Sequence, residues 1–410
     1  MKQRIFQYTA VLILTLFSLG SFAQDNRTLD TKVADILAQM PTNDLVHLNR
    51  VMTEIVELGP DGFQIIAGML TPAGVEDDTE VRFAINSLAR YASDFGMEKE
   101  RSFVESALLD AIKQYTDKEV ITFLVNQLNL VGGQESVEAL QGYLADEDLA
   151  EPVTQMFLSV GTKDAALALL SGLYSANNEE TKVTLVRALG QLKCTTALSE
   201  ITRLSSTNTR ELRKVSLEAL ANIGHPDSYK LMLKATKDVD FEYDPTHATE
   251  NFLNYADRLA ENNELKLAKT SLKAVFKNNS DSHKLHNYSK ALAIYTRNFG
   301  YEALPLLLDA MDNSNKPFRY SALNLAEDLG EIAATRQWIE KAKSVNDVVK
   351  AEIISMLGRR GDEFAVDFVK SNLGSSLPLV REEAIVALGK LQDREAVAVL
   401  LDHIVGGNDL

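Results

Sequence analysis

The sequence predicts an all-α protein, a right-handed α-solenoid of about eleven stacked helical hairpins, and three observations carry that expectation. The first is a recurring unit, seen in "TKVTLVRALGQLKCTTALSEITRL" (181–204), "ELRKVSLEALANIGHPDSYKLMLKA" (211–235), "VVKAEIISMLGRRGDEFAVDFVKSNL" (348–373) and "PLVREEAIVALGKLQDREAVAVLLDHI" (378–404). Each copy is an apolar helical stripe, a Leu followed by a small residue, a short polar turn and a second apolar stripe. The second is the period: Leu128, Leu158, Leu189 and Leu220 fall 30, 31 and 31 residues apart, and Leu325, Leu357 and Leu388 fall 32 and 31 apart. A fixed period in this range marks a stack of supersecondary units, because one hairpin cannot bury its apolar faces without neighbours. The third is that no run of alternating short strands breaks the series.

Taken in chain order, the elements begin with a leader. Lys2 and Arg4 precede an apolar run, Ala10 to Phe17, that ends at Ser21-Phe22-Ala23. This is the pattern of a secretory signal peptide, residues 1–23, with cleavage expected after Ala23 and Gln24 leading the mature chain. No cysteine stands near the junction to carry a lipid, and the expected destination is the periplasm or the medium, without membrane insertion. Residues 24–42 are a lead-in, and the array runs from 43 to 410. Leu58 and Leu88 extend the ruler upstream at a spacing of 30, and the 40 residues from Leu88 to Leu128 accommodate an insertion around "SDFGMEKE". In the middle, Leu259 and Tyr295 follow at looser intervals of 39 and 36, and the helices of 238–345 read least clearly.

Within the units, residue choices have physical reasons. Gly59, Gly190, Gly358 and Gly389 follow the ruler Leu, where a helix end that turns sharply favours a residue tolerant of positive φ. Asp164, Asp227, Asp362 and Asp393 are expected to cap the next helix by accepting from its orphan amides. Ala188, Ala219, Ala387 and Ala396 recur where two helices must come close.

One stretch departs from the pattern, "KDVDFEYDPTHATE" at 237–250, which forms an irregular insert over 237–248. In an extended chain alternate side chains share a face. Asp238, Asp240, Glu242 and Asp244 would then point one way, and Val239, Phe241 and Tyr243 the other. Pro245 keeps the residue before it out of helix. The acids mimic the spacing of a calcium loop, but Tyr243 stands where that loop needs Gly and Thr249 where it needs Glu. The reading is a connecting segment laid on the solenoid by its apolar face, with a partner contact through Phe241 and Tyr243 as the functional alternative.

The remaining chemistry is sparse. The formal net charge is -16, and -18 once Lys2 and Arg4 leave with the leader, which disfavours nucleic acid and anionic lipid as partners. The single cysteine, Cys194, permits no internal disulfide and lies in "QLKCTTAL" without a neighbouring base. His283 and His286 stand three apart in "SDSHKLHNYSK" with no acid or cysteine beside them at ligand spacing, so no metal is expected. No phosphate loop, "GxSxG" or HExxH motif occurs, and the chain is read as a non-enzyme without cofactor. Trp338, the sole tryptophan, either fills a groove between helices or anchors a partner.

The segment "LVREEAIVALGKLQDREAVAVLLDHI" (379–404), with weaker copies in "VRFAINSLARYA" (81–92) and "ELRKVSLEALANIG" (211–224), resembles the HEAT-like repeats, in particular the short variant first described in phycobilisome lyases. The resemblance covers most of 79–407. It implies a curved superhelix whose concave face binds another protein. Bilin chemistry, known in some members, fits poorly with a secretory leader. The resemblance also implies a second possibility, an accessory repeat segment of, or partner to, a secreted carbohydrate-processing enzyme of the 3-keto-disaccharide hydrolase type. The expected function is thus a non-catalytic scaffold of the bacterial envelope, with acidic charge favouring a partner that bears a basic patch. The candidate contact residues are Asp238, Asp240, Phe241, Glu242, Tyr243, Asp244, Trp338 and His403. Because "AVAVLLDHIVGGNDL" ends the chain after an apolar hairpin, a further contact or missing domain is expected at 395–406.

Overall fold

A computed structural model of the chain describes residues 27–279 and 282–391. The leader with its cleavage point, the capping residue Asp393, the contact expected at 395–406 and His403 lie outside the described residues. Every regular element among the described residues is helical. The chain divides into two compact units, Met1–Gly172 and Leu173–Leu410.

In the first unit α1 (Leu29–Leu37), α2 (Leu45–Ala67), α3 (Thr79–Ser93), α4 (Glu98–Ile112), α5 (Lys118–Val131), α6 (Gln134–Leu140) and α7 (Ala150–Val160) follow one another, and α8 (Lys163–Ser175) crosses the division. Here α3, α5 and α7 pack on one another in turn, while α4 packs on α3, α5 and α6. Gly133, which opens α6, has no side chain to cap it. Glu105 of α4 supplies the missing acceptor, its Oε1 taking the Gly133 amide at 2.7 Å and the Ser136 amide at 3.0 Å.

The second unit repeats the scheme with α9 (Glu179–Gln191), α10 (Leu198–Leu204), α11 (Arg210–Ile223), α12 (Tyr229–Asp238), α13 (Ala248–Glu261), α14 (Leu265–Asn278), α15 (Leu285–Phe299), α16 (Leu304–Asp309), α17 (Lys316–Glu327), α18 (Ile332–Ser344), α19 (Asp347–Arg360), α20 (Val366–Ser371) and α21 (Pro378–Leu391). The odd-numbered helices from α9 to α19 each pack on the next odd one, and α13 touches both α11 and α15. The loosely repeating middle of the sequence therefore continues the array.

The ruler residues Leu88, Leu128, Leu189, Leu220, Leu259, Leu357 and Leu388 are buried. At Leu158 the buried residue is its neighbour Phe157, and Leu58, Leu158 and Leu325 are only half-buried. The turn itself falls three residues after Leu158 and four after Leu189, Leu220, Leu259 and Leu357. Left-handed residues stand at Gly161, Lys193, Gly224, Asn263 and Gly361. At Gly224 the amide closes onto the Leu220 carbonyl at 3.1 Å, and past Lys193 the Cys194 amide reaches the Leu189 carbonyl at 3.0 Å.

The glycines that directly follow the ruler have a different role from the one expected of them at three of four positions. Gly59 does take a positive φ of 71°, breaking α2 ahead of Pro60. Gly190, Gly358 and Gly389 lie inside α9, α19 and α21. A Cβ on Gly190 would stand 2.6 Å from the Ala219 Cα, and one on Gly358 would stand 2.5 Å from the Ala387 Cα. The alanines Ala219 and Ala387 thus occupy close approaches, as expected, and the glycines face them. Gly358→Val is expected to cost about 1–3 kcal/mol through overpacking. Chemical denaturation of the two proteins side by side measures it, and an unchanged midpoint would contradict the close approach.

The capping expectation is met at Asp362, whose carboxylate accepts from the Phe364 amide. Elsewhere the cap is a neighbour: Thr162 serves α8 in place of Asp164, and the His225 imidazole accepts from the Asp227 amide. In both cases the predicted Asp lies two residues past the capping position, inside the helix.

Candidate functional site

The insert is a connecting segment held on the packed helices by Phe241, but it is not an extended strand. Helix α12 runs through Asp238, and the chain then turns through two successive left-handed residues, Asp240 at φ 50° and Phe241 at φ 56°. The Asp240 amide donates to the Lys237 carbonyl and the Phe241 amide to the Thr236 carbonyl, both at 3.0 Å, a Schellman-type ending built without glycine. Two reversals in succession destroy the alternation expected of a strand.

The consequence is a split of the aromatic pair. Phe241 is buried at 2% exposure and Tyr243 is 77% exposed. Phe241 is therefore a plug in the core, unavailable as a partner anchor. Asn287 of α15 fixes it by donating to its carbonyl at 2.9 Å. Of the two readings of Trp338, the structure gives the groove-filling one, so it is not a partner contact. It stands at i+4 between Ala334 and Ala342 on the buried stripe of α18 and is fully enclosed.

The acids of the insert are largely engaged. Lys284, itself buried, donates to the Asp240 carbonyl at 2.7 Å and to its carboxylate at 2.8 Å, and approaches Glu242 at 3.6 Å. That hydrogen bond to Asp240 raises the Lys284 ammonium above its ordinary range despite burial, so the lysine stays charged. Asp244 accepts from the Thr246 amide at 2.7 Å and the Ala248 amide at 2.8 Å, opening α13 where His247 offers no side-chain cap. Asp238 is exposed at the end of α12.

Between the insert, α13 and α15 lies a cavity of about 220 Å³. Glu242, Tyr243 and Asp244 form one wall, His247, Glu250 and Leu253 of the α13 side a second, and His286, Asn287 and Lys290 of α15 a third. Glu250 sits at the centre of its charges, 3.0 Å from His247 Nδ1 and 3.3 Å from Lys290 Nζ. Its carboxyl is held below the ordinary range, by the His247 hydrogen bond first and then by Lys290. Across the mouth His283 Nε2 lies 3.4 Å from Glu242, and the Tyr243 ring meets the His247 ring edge-on at 5.7 Å.

Of the residues singled out from the sequence, Asp240, Glu242, Tyr243 and Asp244 are thus brought together, and Asp238, Phe241 and Trp338 are not part of the rim. His247, Glu250, Lys284, His286 and Lys290 complete the site. The two histidines near 285 were visible in the sequence, yet the carboxylate that meets His283 comes from the insert, 41 residues upstream. Among the described residues no group of three or more His, Cys, Asp or Glu side chains is arranged to hold a metal ion. Nor is any helix among them long and apolar enough to cross a membrane. The cavity is smaller than the roughly 300–1,000 Å³ of small-molecule sites and is the size of one large side chain.

The family model for HEAT repeats matches residues 166–250 and 335–409. None of the curated proteins matches the chain. Among solved structures, Kap95p from a complex with RanGDP is 10% identical over 94% of this chain and 59% of its own length, at a TM-score of 0.53. A structure of importin beta is 9% identical over 93% of this chain and 59% of its own length, at a TM-score of 0.45. Human deoxyhypusine hydroxylase is 17% identical over 63% of this chain and 96% of its own, at a TM-score of 0.28. The chain spans a little over half of the two transport-receptor structures, and Kap95p shares its fold. The chain thus carries HEAT repeats at 166–250 and 335–409, and its described helices form an all-α solenoid.

Proposed function

We propose that the chain is an exported, non-catalytic scaffold of the bacterial envelope that binds another protein, with the insert cleft as its contact. The observation that carries this reading is Tyr243. A large aromatic side chain is held out in solvent on a segment pinned at both ends to packed helices, by Lys284 and Asn287 on one side and by the Asp244 cap on the other. An anchor that is already ordered loses little freedom on binding, which is how rigid aromatic contacts come to dominate interfaces. HEAT solenoids support the same reading as a class, and the excess of acid favours a partner with a basic patch.

The test has two arms. Mass spectrometry of the protein recovered after expression with its leader is expected to give Gln24 as the first residue, and an intact Met1 terminus would remove the exported setting. A pull-down from envelope extract with residues 24–410 as bait is expected to retain a discrete protein that Tyr243→Ala loses. Retention of nothing at low salt would remove the scaffold reading.

A further inference from the structure

We propose that the second unit binds a protein segment through two cationic side chains, lysine or arginine, seated on either side of α15. This rests on the scaffold reading and names the chemistry of its partner.

The insert cleft shares α15 with other cavities. One of these, about 300 Å³, is lined by Leu285, Tyr288, Asp309, Asp312 and Phe318. Leu285 and Tyr288 are three apart and line this second cavity, whereas His286 and Lys290 are four apart and line the first. Helical geometry places the two pairs on different faces of the same turns. The cavities therefore flank one helix.

They also share a chemistry. Each combines a tyrosine wall with carboxylates at the lip: Tyr243 with Glu242 and Glu250, and Tyr288 with Asp309 and Asp312. In the second cavity Phe318 meets Tyr288 edge-on at 5.3 Å. The Tyr288 hydroxyl is raised above the ordinary range, by burial first and then by the charge of Asp309, which lines the same cavity. A lysine or arginine side chain uses both parts of such a site. Its alkyl stem lies along ring and Leu253 or Leu285, and its head meets carboxylate and π-face together.

Charge complementarity fixes the sign. The first cavity has Glu242, Asp244 and Glu250 against Lys290, with Lys284 beneath. Adding Asp240, the partner of Lys284, leaves acids in excess. In the second, Lys341 pairs with Asp312 at 2.8 Å, and Asp309 is exposed at the lip without that lysine as its partner. Each cavity holds one side chain, so the partner's segment crosses α15 to place one cation in each.

The probe is fluorescent tetra-arginine amide, titrated by anisotropy into residues 24–410, with tetra-citrulline as the uncharged control. Glu242→Gln/Tyr243→Ala and Asp309→Asn are each expected to weaken tetra-arginine about three- to tenfold, and their combination to multiply the losses. Glu179→Gln/Glu180→Gln, exposed acids on α9, are expected to change it less than about twofold. Circular dichroism checks folding, and Asp309 is exposed enough for its variant to remain folded. Equal losses in the α9 variant would assign binding to acidic surface at large and overturn the proposal. Equal binding of tetra-citrulline, no binding of tetra-arginine, or unaltered binding by both cleft variants would overturn it as well. A pull-down partner retained by all cleft variants would sink these two seats and leave the scaffold reading standing.

Discussion

Glu352→Ala is expected to destabilise the second unit by about 3–5 kcal/mol. Glu352 of α19 and Arg319 of α17 form a two-pronged ion pair, both bonds 2.7 Å, with both side chains about 5–6% exposed. Arg319 has a further partner in the Asn313 carbonyl at 2.8 Å, so its guanidinium is held on three sides. Truncating the glutamate strands that charge out of water, where an unpaired ion is far costlier than the pair itself was worth. Replacing both members by apolar residues of similar volume, Arg319→Met with Glu352→Leu, is expected to recover most of the loss, because the desolvation penalty of both ions then disappears. Stacked repeats unfold in local blocks, so the measurement is hydrogen exchange across α17–α20 in parallel with denaturation. A single variant as stable as the parent would mean that water reaches the pair.

Trp338→Ala is expected to cost a comparable amount, about 3–5 kcal/mol, by opening a cavity between α18 and its neighbours. Trp338 is the largest of the fully buried side chains, yet its indole N–H has no hydrogen-bond partner. An orphan donor of this kind costs about 1–3 kcal/mol. Trp338→Phe removes that donor along with part of the volume, and is expected to be much milder than the alanine change. The comparison by urea denaturation followed by circular dichroism separates packing from polarity. Equal losses for Phe and Ala would show that the ring system's full volume is what matters.

The array was legible in the sequence because its signal is repeated. A buried ruler residue every 30 or so positions survives the three copies where Leu58, Leu158 and Leu325 are half-buried, and where Phe157 replaces Leu158 the error is one residue. What the sequence does not resolve is why a small residue is small. Gly190 and Gly358 satisfy two physical explanations, a left-handed turn or a neighbouring helix at contact distance. Only the partner helix, bearing Ala219 or Ala387 29 residues on, decides for the second.

The insert was legible as an exception and misread as a shape. Alternating acids and apolar residues are what an extended strand requires, and left-handed turns are normally announced by glycine. Here Asp240 and Phe241 take that conformation without one, held by Lys284 and Asn287, which lie 44 and 46 residues away. The same distance hid the cleft. Glu105 over α6 and Arg319 against Glu352 belong to the same class: the partner sits about one repeat away, and nothing local marks either residue.

The claim that the insert cleft is a protein-binding surface is tested most directly by photo-crosslinking in cells, with a benzophenone amino acid at position 243 and, as control, at Tyr174, another exposed tyrosine of the second unit. A discrete protein adduct from position 243 and none from 174 is the predicted result. Adducts of equal yield from both positions, or none from 243, would contradict it.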